Sequence, residues 1–392
     1  MSARRPQSLP LCFTGAGMAT SLGLDVVTAC AAARAGLVNP QPIEAFPMSS
    51  MTDGAPALLT GHPLPEVTRG FEGEARLLRL FQAGLEDLWP RAPEALWRDP
   101  RVGWYLSLPS PARLFEGLPL IADEGARQSR GEEAKRARID PRALDATAQG
   151  LLHRAARLAG WSAPPALAFV SRAGRAGVGE ALQRAAEDLQ ANRVSAAVVG
   201  GVDSLLDEDT LAWLSATRRL KTVNDPVGLQ PGEASAFLLL ETERAAAQRG
   251  AAAWARFDGG QAGRESQPWA SGRPPLGDGL TTVLGALAAD APEAPPWLVV
   301  DHAGETYSAT ELGNVVVRLR SSRPGYGQAI LWYPAISFGD TGAAFGAVAT
   351  CLVLRAFARR YAPLGRAVIS GSSEGAQRSA FLVGAPPEQR RT

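Results

Sequence analysis

With three cysteines, three histidines and almost no lysine, this 392-residue chain is short of the residues that most often carry metal and redox chemistry. Cys12, Cys30 and Cys351 are too scattered for a disulfide framework or a C-x-x-C metal site, so reduced, largely buried thiols are expected. His62, His153 and His302 share no metal-ligand spacing, which argues against a zinc enzyme, and nothing in the chain calls for a metal or another cofactor. An excess of one charge is missing too. The formal net charge is +1, so no overall basic field draws the chain to nucleic acid or to an anionic membrane surface. The arginines between Arg127 and Arg138 are a local concentration that reads as a solvated loop. No apolar stretch approaches the ~20 residues of a spanning helix. The first residues include two arginines but no apolar h-region, and a cytoplasmic protein is expected.

What is present describes a well-packed α/β chain. Hydrophobic residues make up 46% and charged residues 20%, enough to bury one large core or two fused ones. Leu9 to Thr14 reads as a strand ending in a glycine turn at Gly15-Ala16-Gly17, followed by an alanine-rich helix from Asp25 to Ala35. Further helices are predicted at Glu74 to Leu88, Leu144 to Leu158 and Val178 to Gln190. Strands are predicted at Trp104 to Leu108, Ala166 to Val170, Ala196 to Val199 and Ala234 to Leu240. Residues 39 to 73 are rich in Pro and Gly, and residues 109 to 142 form a charged excursion with little pattern. After a Gly/Pro/Ser-rich stretch from Gly259 to Gly279, a second series begins. Its helices are Thr281 to Ala289, Ala309 to Leu319 and Ala343 to Arg360, and its strands are Trp297 to Val300, Ala329 to Trp332 and segments near Ala367 and Ala380. Alternation of this kind, twice over, predicts two mostly parallel sheets with helices sandwiched between them. The segment AAFGAVATCLVL from Ala343 is apolar all round, as a helix buried on every face must be.

Four places carry a family resemblance. Thr14-Gly15-Ala16-Gly17-Met18-Ala19-Thr20-Ser21-Leu22-Gly23 looks like an opening strand and turn. A dinucleotide loop fits poorly there, because the third glycine of G-x-G-x-x-G falls on Thr20. Gly200-Gly201-Val202-Asp203-Ser204, followed by Leu220-Lys221-Thr222 and Pro231-Gly232-Glu233-Ala234, is the most specific match. Phe169-Val170-Ser171-Arg172-Ala173-Gly174-Arg175, running into Gly179-Glu180-Ala181, is the third. Asp301-His302-Ala303-Gly304-Glu305-Thr306 and Gly339-Asp340-Thr341-Gly342-Ala343-Ala344 together make the fourth. On these residues the chain resembles the β-ketoacyl synthase branch of the thiolase superfamily. The resemblance implies a five-layered α-β-α-β-α thiolase-like fold of two similar halves, residues 1–250 and 251–392, with Gly200, Gly201, Asp203, Gly232 and Glu233 as structural motif residues.

The resemblance also implies an altered reaction centre. Ser171 stands where the family has a nucleophilic cysteine, and a serine gains little from the helix dipole that lowers a thiol pKa. Arg172 and Arg175 follow where the family keeps small residues. They would crowd an acyl chain or meet a ligand or partner, although solvation at the surface is the commoner fate of arginine. The first family histidine falls on Ala303, or on His302 if one residue is inserted. Asp340 replaces the second, and the family lysine before it is missing from Pro334-Ala335-Ile336-Ser337. The family's glycine-rich oxyanion loop appears as Gly371-Ser372-Ser373-Glu374-Gly375. Ordinary condensing activity is therefore expected to be absent.

Two kinds of function follow, beside a third in which the chain binds an acyl group or CoA and does no chemistry. The first is a scaffold, adaptor or partner subunit, like the chain-length factors that resemble ketosynthases, or like the degenerate ketosynthase-like proteins encoded beside type VI secretion components. Its partners would be a second copy or another ketosynthase-like chain, paired through Ala166 to Val170, with an acyl carrier protein or a secretion effector. The second is an acyltransferase or esterase in which Ser171 is the acyl acceptor, His302 the base and Asp340 the orienting group. The bland alternative for each is a helix cap or a strand-end hydrogen bond.

Overall fold

The computed structural model describes residues 9–49, 54–110, 141–161, 165–287 and 294–386. The first half contributes β1 (Leu11–Thr20), α1 (Val26–Arg34), a hairpin of β2 (Gln41–Ser49) and β3 (Pro56–Gly61), α2 (Gly73–Leu88) and β4 (Val102–Ser107). It continues with α3 (Pro141–Leu158), β5 (Ala166–Ser171), α4 (Gly177–Gln190), β6 (Ala196–Ser204), α5 (Glu208–Ala216) and β7 (Glu233–Thr242). The second half contributes β8 (Ala255–Arg264), α6 (Asp278–Leu287), β9 (Trp297–Val300), α7 (Thr306–Ser322), β10 (Ile330–Trp332), α8 (Phe345–Ala358), β11 (Arg366–Ser372) and β12 (Gln377–Gly384). The charged excursion lies almost wholly outside the described residues.

Hydrogen bonds link ten strands in the order β10-β9-β11-β12-β8-β1-β7-β6-β4-β5. β1 and β8 meet only from Leu11 to Phe13 against Ala255 to Phe257, a narrow seam between two five-strand series. Outward from the seam each series pairs antiparallel, antiparallel, parallel, parallel: β1-β7-β6-β4-β5 and β8-β12-β11-β9-β10. The same order appears twice, a repeat that residue identities do not reveal.

Three apolar clusters fill the spaces between layers. In the middle one, Val178 and Leu182 of α4 and Val348 and Cys351 of α8 pack against Phe13 and Leu238 of one series and Val299 and Ile369 of the other. Every residue of α8 from Phe345 to Leu354 is buried, which is why that segment is apolar on all faces. On the outer side of the first series, Leu80 and Phe81 of α2 and Leu152 of α3 cover Trp104 and Phe237. On the outer side of the second, Val283 of α6 and Val315 of α7 cover Leu298 and Val368. The layers run α-β-α-β-α, as expected, but the sheets are not mostly parallel: in each series the two pairings next to the seam are antiparallel and the outer two parallel. Covered on both faces, strands such as β1, β6 and β9 are buried at every position.

Two expectations about strand ends are corrected. β1 does not turn at Gly15-Ala16-Gly17 but runs on to Thr20. Gly17 is there for space, since a Cβ would fall 2.4 Å from the Leu88 amide nitrogen and 2.5 Å from the Gly84 carbonyl on α2. Likewise β8 extends to Arg264, into the Gly-rich stretch read as a divider. The β2–β3 hairpin and α5 arise in segments where no element was expected, and Ile43, Leu59, Trp213 and Leu214 give them a small core of their own.

Candidate functional site

The site forms where loops leave the C-terminal ends of strands, the usual place for ligands in α/β sheets. Beyond β5, Gly174 at φ +52 turns the chain into a short 3₁₀ turn that leads into α4. The Ser171 hydroxyl donates to Glu180 Oε2 at 2.7 Å and accepts from the Ala173 amide at 3.2 Å. It is buried, and the fit is close: a Cβ on Gly177 would lie 2.3 Å from Ser107 Oγ and 3.1 Å from Ser171 Oγ. Ser171 thus closes a turn and ties it to α4.

Arg175 occupies the centre of the site. Its Nε donates to both carboxylate oxygens of Asp340 at 3.0 Å, and Nη2 closes the fork on Oδ2. Nη2 also reaches Glu305 Oε2 at 3.3 Å, and Nη1 lies 3.7 Å from Glu374 Oε1. A second guanidinium, Arg219, donates to Glu305 Oε1 at 2.5 Å and Oε2 at 3.2 Å, and to Glu374 Oε1 at 3.4 Å. Its Cζ lies 4.9 Å and 4.5 Å from the ring centres of Trp213 and Trp269, within cation–π range. Burial would lower the pKa of Arg175, but Asp340, Glu374 and Glu305 outweigh it and hold the group charged. Arg219 behaves alike, with Glu305 and Glu374 overcoming the cost of burial. Arg175 is therefore not at the surface, the commoner fate assigned to it from sequence. It knits the loop after β5 to the loops carrying Glu305, Asp340 and Glu374.

The remaining positions lie around this network. Asp301 is half-buried, and desolvation pushes its carboxyl up to about 7 against the lowering influence of Arg175 and of the Ser372 amide, 2.6 Å from Oδ2. Such a raised carboxyl contributes its full stability below the ordinary carboxylate range and loses it as pH rises through about 7. His302 Nδ1 pairs with Ser308 Oγ at 2.8 Å, and its ring meets Tyr333 edge-on at 5.8 Å. Burial lowers its pKa, with Arg175 adding to and Glu305 opposing the shift. Ala303, the other candidate for the first histidine position, packs into the small core around Trp213. Arg172 Nη1 contacts the Pro109 carbonyl at 3.5 Å, away from the network.

Ser171, His302 and Asp340 come from adjoining loops, but each is engaged elsewhere: Ser171 with Glu180, His302 with Ser308, and Asp340 with Arg175. A serine nucleophile needs a base at its hydroxyl and an orienting group behind that base. The hydrogen bonds present do not supply that relay.

The structural motif residues hold these loops in position. The Asp203 carboxylate accepts from the Ala343 amide at 2.7 Å, fixing the turn between Asp340 and α8. Glu233 accepts from the Leu64 amide and Thr68 Oγ1 at 2.7 Å, from Ser204 Oγ at 2.9 Å, and from Arg76 Nε at 2.7 Å. Gly201 and Gly232 let that turn approach β6 and β7: added Cβ atoms would fall 2.3 Å from the Ala343 carbonyl and 2.2 Å from the Phe338 carbonyl. Glu305, Glu374, Arg219 and Asp301 were not singled out from sequence. The signal was an acidic residue in each loop facing an arginine-bearing turn, a complementarity that shows only when the loops are considered together.

No family model matches the chain, and no curated protein matches it. Solved structures do match along nearly its whole length. A chain from the complex of a type II polyketide acyl-carrier protein with its ketosynthase superposes with TM-score 0.72 at 13% identity, covering 97% of this chain and 100% of the other. The ishigamide ketosynthase/chain length factor gives 0.68 at 17% identity, with 97% and 100% covered. The ketosynthase from module 6 of the bacillaene synthase of Bacillus subtilis 168 gives 0.68 at 12% identity, with 96% and 72% covered. The fold is that of these ketosynthases and of the ketosynthase/chain length factor.

Proposed function

We propose that this chain is a non-condensing partner subunit built on the ketosynthase fold. The observation that carries the reading is the Arg175 fork on Asp340, joined to Glu305 and Glu374. Decarboxylative condensation needs a thiolate and preorganised donors around a developing enolate oxygen. Here the corresponding loops direct charged side chains at one another, and the nearest hydroxyl, Ser171, is held by Glu180. The three thiols offer no substitute. Cys12 and Cys30 are raised to about 12, chiefly by burial, and burial likewise raises Cys351 well above the ordinary thiol value. The same hydrogen bonds argue against a Ser171–His302–Asp340 acyltransferase.

The pairing surface in this reading is β5, which ends the sheet with only β4 beside it among the described residues. An open apolar edge of that kind invites strand pairing. The partner is a second copy or another ketosynthase-like chain, and a carrier protein is the natural visitor to such a pair. A chain-length-factor-like role is favoured over effector loading in type VI secretion, because a ketosynthase/chain length factor is among the structures this chain resembles. Sedimentation of the purified chain tests the pairing. The wild type is expected to run as a dimer, and Ala166→Lys/Ala168→Lys, both exposed on β5, as a monomer with unchanged circular dichroism. A wild-type monomer that also ignores a ketosynthase-like partner, or a dimer that both lysines leave intact, contradicts it.

A further inference from the structure

Both ring nitrogens of His62 are buried without a hydrogen-bond partner among the described residues, in a side chain that is 1% exposed. Unpaired buried polar atoms are costly, and an aliphatic side chain would fill the same place without that cost. We propose that His62 is a pH-sensitive latch on the turn that carries Asp340: the neutral ring lets the turn close against it, and protonation drives the turn off and opens the ion network. This goes beyond the partner-subunit reading and does not depend on it.

The backbone places the ring against the turn. His62 follows β3, and its amide donates to the Pro231 carbonyl at 2.8 Å. Asp340 bridges the same short segment, its amide donating to the Gln230 carbonyl at 2.8 Å and its carbonyl accepting from the Gly232 amide at 3.0 Å. The imidazole itself reaches the turn at Gly339. A Cβ there would fall 2.8 Å from His62 Cδ2, and 2.9 Å and 3.1 Å from the Gln230 and Pro231 carbonyls. Gly339 sits at φ +68, so the bare α-carbon is what lets ring and turn meet. A turn that withdraws from a charged ring gives up the two Asp340 backbone bonds, and with them the aim of that carboxylate at Arg175.

No neighbouring charge is free to stabilise an imidazolium there. Glu233, next to Gly232, accepts from Arg76, Leu64 and Thr68, and Asp340, next to Gly339, is forked by Arg175. Glu44 on β2 and Glu66 just beyond His62 are exposed, and Asp207 caps α5. Burial lowers the pKa of His62, no charged group figures among its influences, and Gln230, whose amide is given to Thr60 Oγ1 at 3.1 Å, opposes the shift only in part.

The sign follows from linkage. In the open form His62 regains its ordinary value of 6.5, whereas in the closed form it takes up a proton only at lower pH. Closure is therefore fully favoured above about 6.5 and is lost as pH falls below it, the opening constant rising by up to about tenfold per pH unit. Asp301, with its raised carboxyl, acts in the opposite sense. His302 shifts in the same direction as His62 but stands on another loop, paired with Ser308.

Hydrogen exchange of the full chain at pH 7.5 and 5.5, corrected for the intrinsic rate, tests the latch. Protection of residues 229–233 and 337–342 is expected to fall at least about fivefold at the lower pH relative to the core strand β6. His62→Leu, apolar and unable to titrate, should hold that protection constant while leaving His302 in place. With only three histidines in the chain, NMR titration of the imidazole Cε1 protons gives an independent readout in the wild type, and His62 should titrate well below 6.5. A His62 titration at or above 6.5, equal protection at the two pH values, or the same fall in His62→Leu overturns the proposal.

Discussion

Arg175→Met is expected to lower the unfolding free energy by about 3–5 kcal/mol at neutral pH, measured by denaturant titration. Arg175 is buried among Asp340, Glu305 and Glu374, and without it the one remaining guanidinium, Arg219, reaches Glu305 and Glu374 but leaves Asp340 without its fork. A buried ion pair is weak evidence of net stability, but breaking one leaves a charge that neither water nor a partner compensates. The loss should therefore shrink as pH falls, because in the variant the orphaned carboxylates take up protons in the folded state above their ordinary range. Arg175→Met/Asp340→Asn removes both members of the fork while keeping an acceptor for the Gly342 amide, which Asp340 Oδ1 now receives at 2.9 Å. That double variant should recover much of the loss, giving a coupling energy of about 2 kcal/mol or more in the double-mutant cycle. A single variant within about 1 kcal/mol of wild type would mean that water already reaches the network.

Gly201→Ala and Gly232→Ala should each cost at least about 3 kcal/mol, or abolish soluble folding. Each new methyl meets a backbone carbonyl, Ala343 or Phe338, and a backbone atom has no rotamer to escape into. Relief requires the Phe338–Ala344 turn to withdraw, and that turn carries Asp340 and the start of α8, so the fold and the network should fail together. Gly313→Ala is the control. It lies in α7 with nothing within 4 Å of the added Cβ, and helix propensity alone should stabilise the chain by up to about 1 kcal/mol. If all three variants melt alike, the close approach of the turn to β6 and β7 is wrong.

The layered fold was legible because its main signals are local. α4 has a period of 3.6, α8 is apolar on every side, and β9 is a short apolar run between turns. What escaped depends on tertiary contact. Gly15-Ala16-Gly17 looks like a turn in one dimension, yet it is the stretch of β1 that admits the backbone of α2. α5 carries little helical periodicity, and its stability comes from Trp213 and Leu214 meeting Leu59 on the hairpin. The site shows the same division. That Ser171 stands where a ketosynthase has its cysteine, and Asp340 where it has a histidine, is what the motif resemblance implies. That Arg175 answers Asp340 across 165 positions is not, because charge pairing between loops leaves no periodic trace. Arg219 escaped for the same reason, sitting in a connection where an arginine ordinarily reads as solvated.

The central claim is that charged side chains have taken over the reaction centre and left Ser171 a structural hydroxyl. Intact-mass measurement of the purified chain after incubation with an activated acyl thioester, beside a Ser171→Ala control, tests it most directly. The account predicts an unmodified mass for both proteins. An acyl adduct on the wild type that is missing from the control would contradict it, and would make Ser171 a nucleophile with Glu180 beside it.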